Sequence, residues 1–311
     1  MDNPQETEKL NNIIWLAGFF DAEGSISFNY KPNLDIINTC AKTIFHIKFI
    51  MDSININIGI NKREKPSKSR KKKRWDIFLR HENQIKPFLY NIKDFIYGKQ
   101  KQLDIIQEWY CNKDNKIDYS DKIKFANQIN NIIISCDKRD YILKKLNTNT
   151  LHKYLDIQVL DEDDGIILPY QNFNEKYYIS GLLDGDGCFV LNARNTKTNV
   201  RYTPKVSLIN TNKEIIKRYC SFLKYNNIGY HISFRVANKT TNRRRWDIIV
   251  SGVKRCEKLC SLLNNSLVTK KEQCNLLLQY CKFRLLNEKS KNNEIGLECK
   301  KALEGMKKGI Y

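Results

Sequence analysis

The chain has 311 residues, which is long enough for one large domain or for two of ordinary size. Its 54 Lys and Arg residues against 34 Asp and Glu residues give a formal net charge of +20, and such an excess indicates a polyanionic partner. A hydrophobic content of 41% excludes a disordered basic tail. The lack of any run near roughly 20 apolar residues excludes a membrane span, so no membrane partner is expected.

Hydrophobic periodicity predicts the same order of elements in each half of the chain. In the first half it predicts a helix at 10–21, two strands, a helix at 43–54, two strands around a basic loop, and helices through 84–110. The residues after the first helix, from Ser25 to Lys31, alternate between polar and apolar, so this strand should have one packed face and one polar face. The second half repeats helix, strand pair, helix, strand pair and helices.

Four landmarks recur in the same order in both halves, and this indicates a duplicated module. They lie, in the first and second copy respectively, at 16–24 and 179–187, at 36–39 and 208–211, at 74–77 and 245–248, and at 99–102 and 270–273. We therefore predict a first module at 1–115, a linker at 116–172 that includes a helix, a second module at 173–290 and a C-terminal tail at 291–311.

Each copy of the first landmark is a helix that ends in acid, small residue, acid and glycine. The sequences are Asp21-Ala22-Glu23-Gly24 and Asp184-Gly185-Asp186-Gly187. Carboxylates at a helix C-terminus face the negative end of the helix dipole, so we expect a cation to compensate them. Gly24 and Gly187 are expected just past the helix end, where a positive φ would turn the chain.

Small residues four apart on one face of each helix would let the two helices pack closely. The residues are Gly18 with Ala22 and Gly181 with Gly185. Such packing would bring Glu23 and Asp186 together, and divalent cations would be needed to neutralise them. Oxygen ligands select hard ions such as Mg²⁺. The alternative is that the acids are exposed helix ends and the small residues only pack, but recurrence in both halves favours a metal site.

Both copies of this landmark resemble the LAGLIDADG signature, and their number and spacing resemble those of the single-chain, double-motif homing endonucleases. The resemblance covers nearly the whole chain outside the linker and tail. It implies an α+β fold of two pseudo-symmetric αββαββα modules, with the motif helices between them and two sheets forming a DNA-binding saddle. It also implies that Glu23 and Asp186 are catalytic and bind the metal, with the carbonyls of Ala22 and Gly185 as further ligands.

Lys99 and Lys270 match the basic residue that this family places near its active centre, so the resemblance implies a catalytic role for both. The alternative for each is a solvated lysine at a helix N-terminus. Because one motif ends in Glu and the other in Asp, the two active sites should not be equivalent, and we expect one strand to be cut faster. The polar residues Asn38 and Asn210, which precede the second helix of each copy, receive no role.

The polar strand faces and basic hairpin tips are the predicted DNA contacts, because sheet side chains can read the major groove and basic tips can reach phosphates. In the first module they are Ser27, Asn29, Lys31, Asn33, Arg63, Lys65, Lys68, Arg70, Arg74 and Asp76. In the second module they are Asn192, Arg194, Arg201, Lys205, Arg235, Lys239, Arg243, Arg245 and Asp247. The alternative for the basic run at 62–74 is a nuclear-localisation-like patch or a solvated loop.

The resemblance implies a monomeric, Mg²⁺-dependent endodeoxyribonuclease that cuts a long, asymmetric double-stranded DNA target and promotes intron homing, with Ca²⁺ or Mn²⁺ as substitute ions. The alternative is an intron-encoded RNA maturase on the same fold, with intron RNA as partner, although retention of both acids favours the nuclease. A transcription regulator would carry a separate DNA-reading domain, and we identify no convincing one in the sequence. Similar reading frames lie in mitochondrial and chloroplast introns, so an organelle is the expected compartment.

Overall fold

The computed structural model describes residues 3–28, 31–63, 74–112, 123–129, 175–195, 200–235, 245–287 and 293–308. In the first half these form α1 (Pro4–Glu23), β1 (Gly24–Phe28), β2 (Pro32–Asn38), α2 (Ala41–Ser53), β3 (Ile60–Arg63), β4 (Arg74–Leu79), α3 (Glu82–Ile92), a 3₁₀ turn (Lys93–Phe95) and α4 (Gln100–Asn112). The second half forms α5 (Glu175–Asp186), β5 (Gly187–Asn195), β6 (Val200–Asn210), α6 (Lys213–Tyr225), β7 (His231–Arg235), β8 (Arg245–Ser251), α7 (Val253–Leu263), α8 (Lys271–Leu286) and α9 (Asn293–Lys308). The predicted αββαββα order is confirmed in both halves.

Each half has one antiparallel four-stranded sheet, and the two sheets have the same topology. Their strand orders are β1-β2-β4-β3 and β5-β6-β8-β7. The register is also equivalent, since Arg63 pairs with Arg74 in the first sheet and Arg235 pairs with Arg245 in the second. Because side chains alternate between faces along a strand, this common register places matching residues of the two halves on matching faces.

The expected alternation of the first strands is confirmed where the structure describes them. Ile26 and Phe28 are buried against the helices, whereas Ser27 lies on the opposite face. In the second half Phe189 and Leu191 are buried in the same way, and Asn192 is exposed. Each sheet therefore covers a core on one face and presents polar groups on the other.

The motif helices α1 and α5 lie between the two halves. In α1 every residue from Ile13 to Asp21 is buried, so this segment is packed on all sides rather than along one stripe. In α5 the residues from Tyr178 to Asp184 are buried in the same way. The two helices thus share one core with both sheets, and their C-terminal ends lead directly into β1 and β5.

Two further helical segments pack against the modules. Within the predicted linker the structure describes only 123–129, a helix whose Phe125 packs on Phe28 and Trp109. The predicted tail contains α9, whose Leu303 is buried. No helix in the described ranges is long and apolar enough to cross a membrane.

Candidate active site

The motif helices contact each other through their glycines. A Cβ built on Gly18 would lie 2.0 Å from the carbonyl oxygen of Tyr178, and one built on Gly181 would lie 2.0 Å from that of Trp15. A Cβ on Gly185 would lie 2.4 Å from the Ala22 Cβ. Because real side chains do not approach a backbone so closely, glycine is what permits this helix spacing. The structure therefore places all four predicted interface residues at the interface.

The glycines at the helix ends serve a different purpose from the predicted one. Gly24 has φ −69° and ψ 150°, an extended conformation open to any residue, so the expected positive φ is wrong. Gly187 is likewise not among the described residues with positive φ. A Cβ would lie 2.5 Å from the Phe20 carbonyl oxygen at Gly24 and 2.4 Å from that of Leu183 at Gly187. Glycine is required here because the strand leaves the helix too close to its last turn.

Glu23 and Asp186 end the motif helices and lie side by side. A Cβ built on Gly185, next to Asp186, would lie 3.0 Å from the Glu23 Cγ. Burial raises the pKa of Glu23. Burial and the neighbouring Glu23 carboxylate raise the pKa of Asp186 to about 6. The predicted convergence is therefore present, and the repulsion between the two carboxylates contributes to the raised pKa of Asp186, whereas burial alone raises the pKa of Glu23.

Lys99 and Lys270 supply the cations that the helix ends were expected to need. The Lys270 ammonium donates to the carbonyl oxygens of Leu183 (2.8 Å), Asp184 (2.7 Å) and Gly185 (2.7 Å). The Lys99 ammonium donates to the carbonyl oxygens of Phe20 and Asp21. An ammonium has three N–H donors, so Lys270 uses all of them on the helix end whereas Lys99 keeps one for another acceptor. Both lysines act at the C-terminal carbonyls, where a cation is favoured.

Of the two lysines, the one from the other half has the larger effect on the pKa of each acid, Glu23 or Asp186. Burial raises the pKa of Glu23, and Lys270 opposes this rise more than Lys99 does. For Asp186 the reverse holds, since Lys99 opposes the rise in pKa more than Lys270 does. Burial lowers the pKa of Lys99 and of Lys270, against the pull of the surrounding carboxylates. Each lysine therefore binds the helix end of its own half and also acts on the pKa of the acid in the other half.

The donor atoms at this point suit a hard divalent cation. Carboxylate and carbonyl oxygens are the ligands that Mg²⁺ prefers, and two desolvated carboxylates gain stability from a cation between them. The described ranges contain no group of three or more His, Cys, Asp or Glu side chains that could hold a metal. Waters and phosphate oxygens would therefore have to complete the shell, as is usual for Mg²⁺. The Gly185 carbonyl already accepts from Lys270, which leaves it one lone pair, whereas no lysine among the described residues donates to the Ala22 carbonyl.

The first acid of each motif, Asp21 or Asp184, has a role that the sequence reasoning missed. Both are buried, at 3% and 2% exposure. Asp21 accepts hydrogen bonds from the backbone N–H groups of Tyr97, Gly98 and Lys99 and from the Tyr178 hydroxyl. Asp184 accepts from the backbone N–H groups of Val268 and Lys270 and from the Trp15 indole. Asp21 therefore fixes the loop that carries Lys99, and Asp184 fixes the loop that carries Lys270.

Asn210, which had no predicted role, orients Asp186. Its amide nitrogen donates to Asp186 Oδ2 at 2.7 Å, and its amide oxygen accepts from the backbone N–H of Asn212 at 2.7 Å. Asn38 accepts the equivalent backbone bond from Cys40 at 2.8 Å. Among the described residues no such amide bond reaches Glu23. The expected difference between the two sites thus extends beyond the Glu and Asp side chains.

The predicted DNA contacts that the structure describes lie on the sheet faces opposite the core or at their ends. In the first half they are Ser27, Lys31, Asn33, Arg63, Arg74 and Asp76, and in the second half Asn192, Arg194, Arg201, Lys205, Arg235, Arg245 and Asp247. Asn29, Lys65, Lys68, Arg70, Lys239 and Arg243 lie outside the described residues. The result is one polar, largely basic face in each half.

The prediction that Asp76 and Asp247 contact DNA directly is corrected by the burial of both side chains. The Asp76 side chain is 0% exposed and lies 2.6 Å from Arg63 Nε, with Arg74 Nε at 3.1 Å. Its oxygens have no hydrogen bond of good geometry, so the attraction to the arginines is mainly Coulombic. Asp247 is paired equivalently with Arg235 at 2.8 Å and with Arg245 at 3.6 Å. The aspartates hold the arginines in place, and the outer arginines are the groups that reach solvent.

The burial of His46 on α2 can be tested through the pH dependence of stability. Its ring lies edge-on to Trp15 with centroids 4.9 Å apart, and burial together with Lys42 lowers its pKa from 6.5 to about 4. As the pH falls, His46 is therefore protonated in the unfolded chain before it is protonated in the folded protein. The stability that comes from burying neutral His46 is present above pH 6.5 and is lost as the pH falls toward 4. Between about pH 7 and about pH 5, wild type should lose about 2 kcal/mol more unfolding free energy than His46→Leu. Urea unfolding at both pH values measures this difference, and equal losses would show that His46 titrates normally.

The sequence and the fold were both compared with those of known proteins. Residues 179–298 match the protein family described as LAGLIDADG endonuclease. The fold is similar to that of the I-LtrWI LAGLIDADG homing endonuclease bound to target DNA, with 16% identity, a TM-score of 0.59 and coverage of 96% of this chain and 97% of that chain. The fold is also similar to that of the LAGLIDADG homing endonuclease I-GzeII in complex with a DNA target, with 14% identity, a TM-score of 0.60 and coverage of 94% of this chain and 97% of that chain. A third similar structure is the LAGLIDADG meganuclease I-CpaMI bound to uncleaved DNA, with 14% identity, a TM-score of 0.59 and coverage of 93% of this chain and 97% of that chain. No curated protein matches the chain.

Proposed function

Because residues 179–298 match the LAGLIDADG endonuclease family and the described residues of both halves have a fold similar to that of LAGLIDADG homing endonucleases, we propose that this protein is a site-specific, Mg²⁺-dependent DNA endonuclease that cuts both strands of a long, asymmetric target. The observation that carries the proposal is the convergence of Glu23 and Asp186 between two basic sheet faces. I-LtrWI, I-GzeII and I-CpaMI are bound to DNA in their structures, which supports a duplex as the partner.

In the proposed reaction a water attacks the phosphorus, the bond to the 3′ oxygen breaks, and the products carry 5′-phosphate and 3′-hydroxyl ends. When bound, Mg²⁺ supplies the Lewis acidity that activates this water and stabilises the leaving oxygen. Glu23 and Asp186 would hold the ion, and the Asn210 amide would keep Asp186 in its orientation. Lys99 and Lys270 would place positive charge against the phosphate oxygens as their negative charge increases.

The biological role that fits such a cut is homing of the intron or other mobile element that encodes the enzyme. We propose that the protein acts as a monomer, since one chain supplies both motif helices and both sheets. A mitochondrion or chloroplast is the proposed compartment. Ca²⁺ and Mn²⁺ are proposed as ions that could occupy the same oxygen ligands, because both accept carboxylate and carbonyl donors.

A selection experiment tests the function without knowledge of the target. Purified protein is incubated with a library of randomised duplexes in Mg²⁺ or in EDTA, and the ends of the cut molecules are sequenced. We expect Mg²⁺-dependent cuts at a fixed position in both strands of one sequence family. Absence of any enriched cut site would contradict the proposal, and high-affinity binding to structured RNA without DNA cleavage would support the maturase instead.

The two outer arginines allow a separate prediction about DNA binding. Arg63 and Arg235 are 52% and 60% exposed and occupy equivalent positions. Replacing either with Gln should weaken binding about tenfold and reduce the slope of log K against log salt by about 1, since one phosphate contact is lost. Fluorescence anisotropy across a KCl series measures both values. Lys254→Gln, in the helical layer on α7, is the control, and an unchanged slope in both arginine variants would place the DNA elsewhere.

A further inference from the structure

The loop that carries Lys99 is held by the other half of the protein. Asn212, at the start of α6, donates from its side-chain amide to the Gly98 carbonyl at 2.8 Å. The guanidinium carbon of Arg218, one turn and a half further along α6, lies 3.6 Å from the centroid of the Tyr97 ring. A Cβ on Gly98 would lie 2.4 Å from Ile215 Cδ1. The loop therefore packs against α6 while its backbone N–H groups bind Asp21.

Arg218 itself is fixed by a buried ion pair. It is 5% exposed, and its Nε donates to Glu175 Oε1 at 2.7 Å while Nη2 donates to Oε2 of the same carboxylate. This bidentate pairing sets the plane of the guanidinium, which stacks on Tyr97 and also lies 5.6 Å from the Tyr178 ring centroid. Glu175 lies in the first turn of the motif helix α5. The ion pair thus connects α5, α6 and the Lys99 loop.

The Lys270 loop has an equivalent support of different chemistry. Counting from the duplicated landmarks, His46 on α2 occupies the position of Arg218, and Trp15 occupies that of Tyr178. The Trp15 indole donates to Asp184 at 2.9 Å, as the Tyr178 hydroxyl donates to Asp21, and His46 lies edge-on to Trp15. Thr43 bonds to Thr269 in this loop at 2.6 Å. One loop is therefore held by a charged stack and the other by a neutral ring and a hydroxyl pair.

We infer that Arg218, held by Glu175, is a positioning residue for Lys99, and that His46 is its counterpart for Lys270, so that each half of the protein adjusts the lysine of the other half. This inference rests on the proposed nuclease function. Since Lys99 binds the carbonyl oxygens at the end of α1 and Lys270 binds those at the end of α5, loosening one loop should slow the cutting of one DNA strand and spare the other. A misplacement of an active-site group by about 1 Å can cost about a hundredfold in rate.

The functional test measures each strand separately. A duplex of the selected target, labelled differently on its two strands, is cut in single-turnover reactions by Arg218→Met with Glu175→Gln and by His46→Leu. The double substitution leaves no buried charge without its counterion, so it should fold. Each variant should slow one strand about tenfold or more, with opposite strand preference, while affinity for the DNA is unchanged. Lys224→Met, at an exposed position of α6, is the control.

A second measurement keeps the inference testable if the protein cuts no duplex. Hydrogen exchange of the Tyr97, Gly98 and Lys99 amides, which donate to Asp21, should accelerate in the Arg218 double variant, while the Val268 and Lys270 amides stay protected. His46→Leu should give the reverse pattern. The inference would be overturned if the amides of both loops exchanged at the wild-type rate in both variants, or if both variants slowed the cutting of the two strands equally. If the wild-type protein cuts no duplex but the variants show the expected exchange pattern, the nuclease proposal and the role in strand cutting are overturned, whereas the contacts that hold the two loops are supported.

Discussion

A protein carrying both Glu23→Gln and Asp186→Asn should bind its DNA target and cut neither strand. The amides keep the shape of the acids but remove the two negative charges that would hold the cation. Loss of that cation should cost about 4 kcal/mol or more of transition-state stabilisation, which is roughly a thousandfold in rate. Binding should persist, because the two negative charges are lost together with the divalent cation that they would hold, and the net charge facing the DNA stays about the same.

Single-turnover cleavage and anisotropy on the selected duplex separate these two effects. Glu108→Gln, at an exposed position of α4, removes a carboxylate of the same kind away from the helix ends and should cut at the wild-type rate. Cleavage by the double variant at the wild-type rate would remove Glu23 and Asp186 from the reaction. Loss of binding together with cleavage would mean that the acids stabilise the fold rather than the metal.

Gly181→Ala should destabilise the folded protein strongly. Its Cβ would lie 2.0 Å from the Trp15 carbonyl oxygen and 2.8 Å from the Phe19 nitrogen, and backbone atoms in a packed helix cannot move aside cheaply. Helix propensity favours Ala over Gly by about 1 kcal/mol, but this gain is smaller than the cost of forcing the motif helices apart. We expect a net loss of about 3 kcal/mol.

Urea unfolding of Gly181→Ala beside Gly59→Ala measures this loss. Gly59 has nothing within 4 Å of a built Cβ, so its substitution reports any general effect of replacing glycine. Gly18→Ala should behave like Gly181→Ala, since its Cβ would lie 2.0 Å from the Tyr178 carbonyl oxygen. An unchanged unfolding midpoint in both motif-helix variants would show that the two helices are not packed as described.

The arrangement of the modules and the meeting of the acids could be predicted from sequence because both depend on local, repeated signals. Alternation in the strands sets which face is buried, and small residues four apart identify the face of a helix that contacts another helix. Because these signals occur twice, each copy supported the interpretation of the other. The helix interface around Gly18 and Gly181 follows from them.

The contacts that tune the site could not be predicted, because they join residues far apart in sequence whose partners carry no local pattern. Asp21 accepts a hydrogen bond from the Tyr97 backbone N–H, and Arg218 from the other half of the chain lies over the Tyr97 ring. The burial of Asp76 under two arginines also depends on the register of three strands. The expected positive φ at Gly24 was wrong for a related reason: glycine at a helix end can serve close packing as well as chain reversal.

The most direct test of this account is the position of a divalent ion in crystals of the protein bound to its selected DNA. Mn²⁺ is soaked in and its anomalous scattering is mapped. The account predicts a peak at roughly 2.0–2.6 Å from carboxylate oxygens of both Glu23 and Asp186, beside the phosphate that is cut. Peaks that occur only elsewhere, with the two carboxylates unliganded and directed away from the DNA, would contradict it.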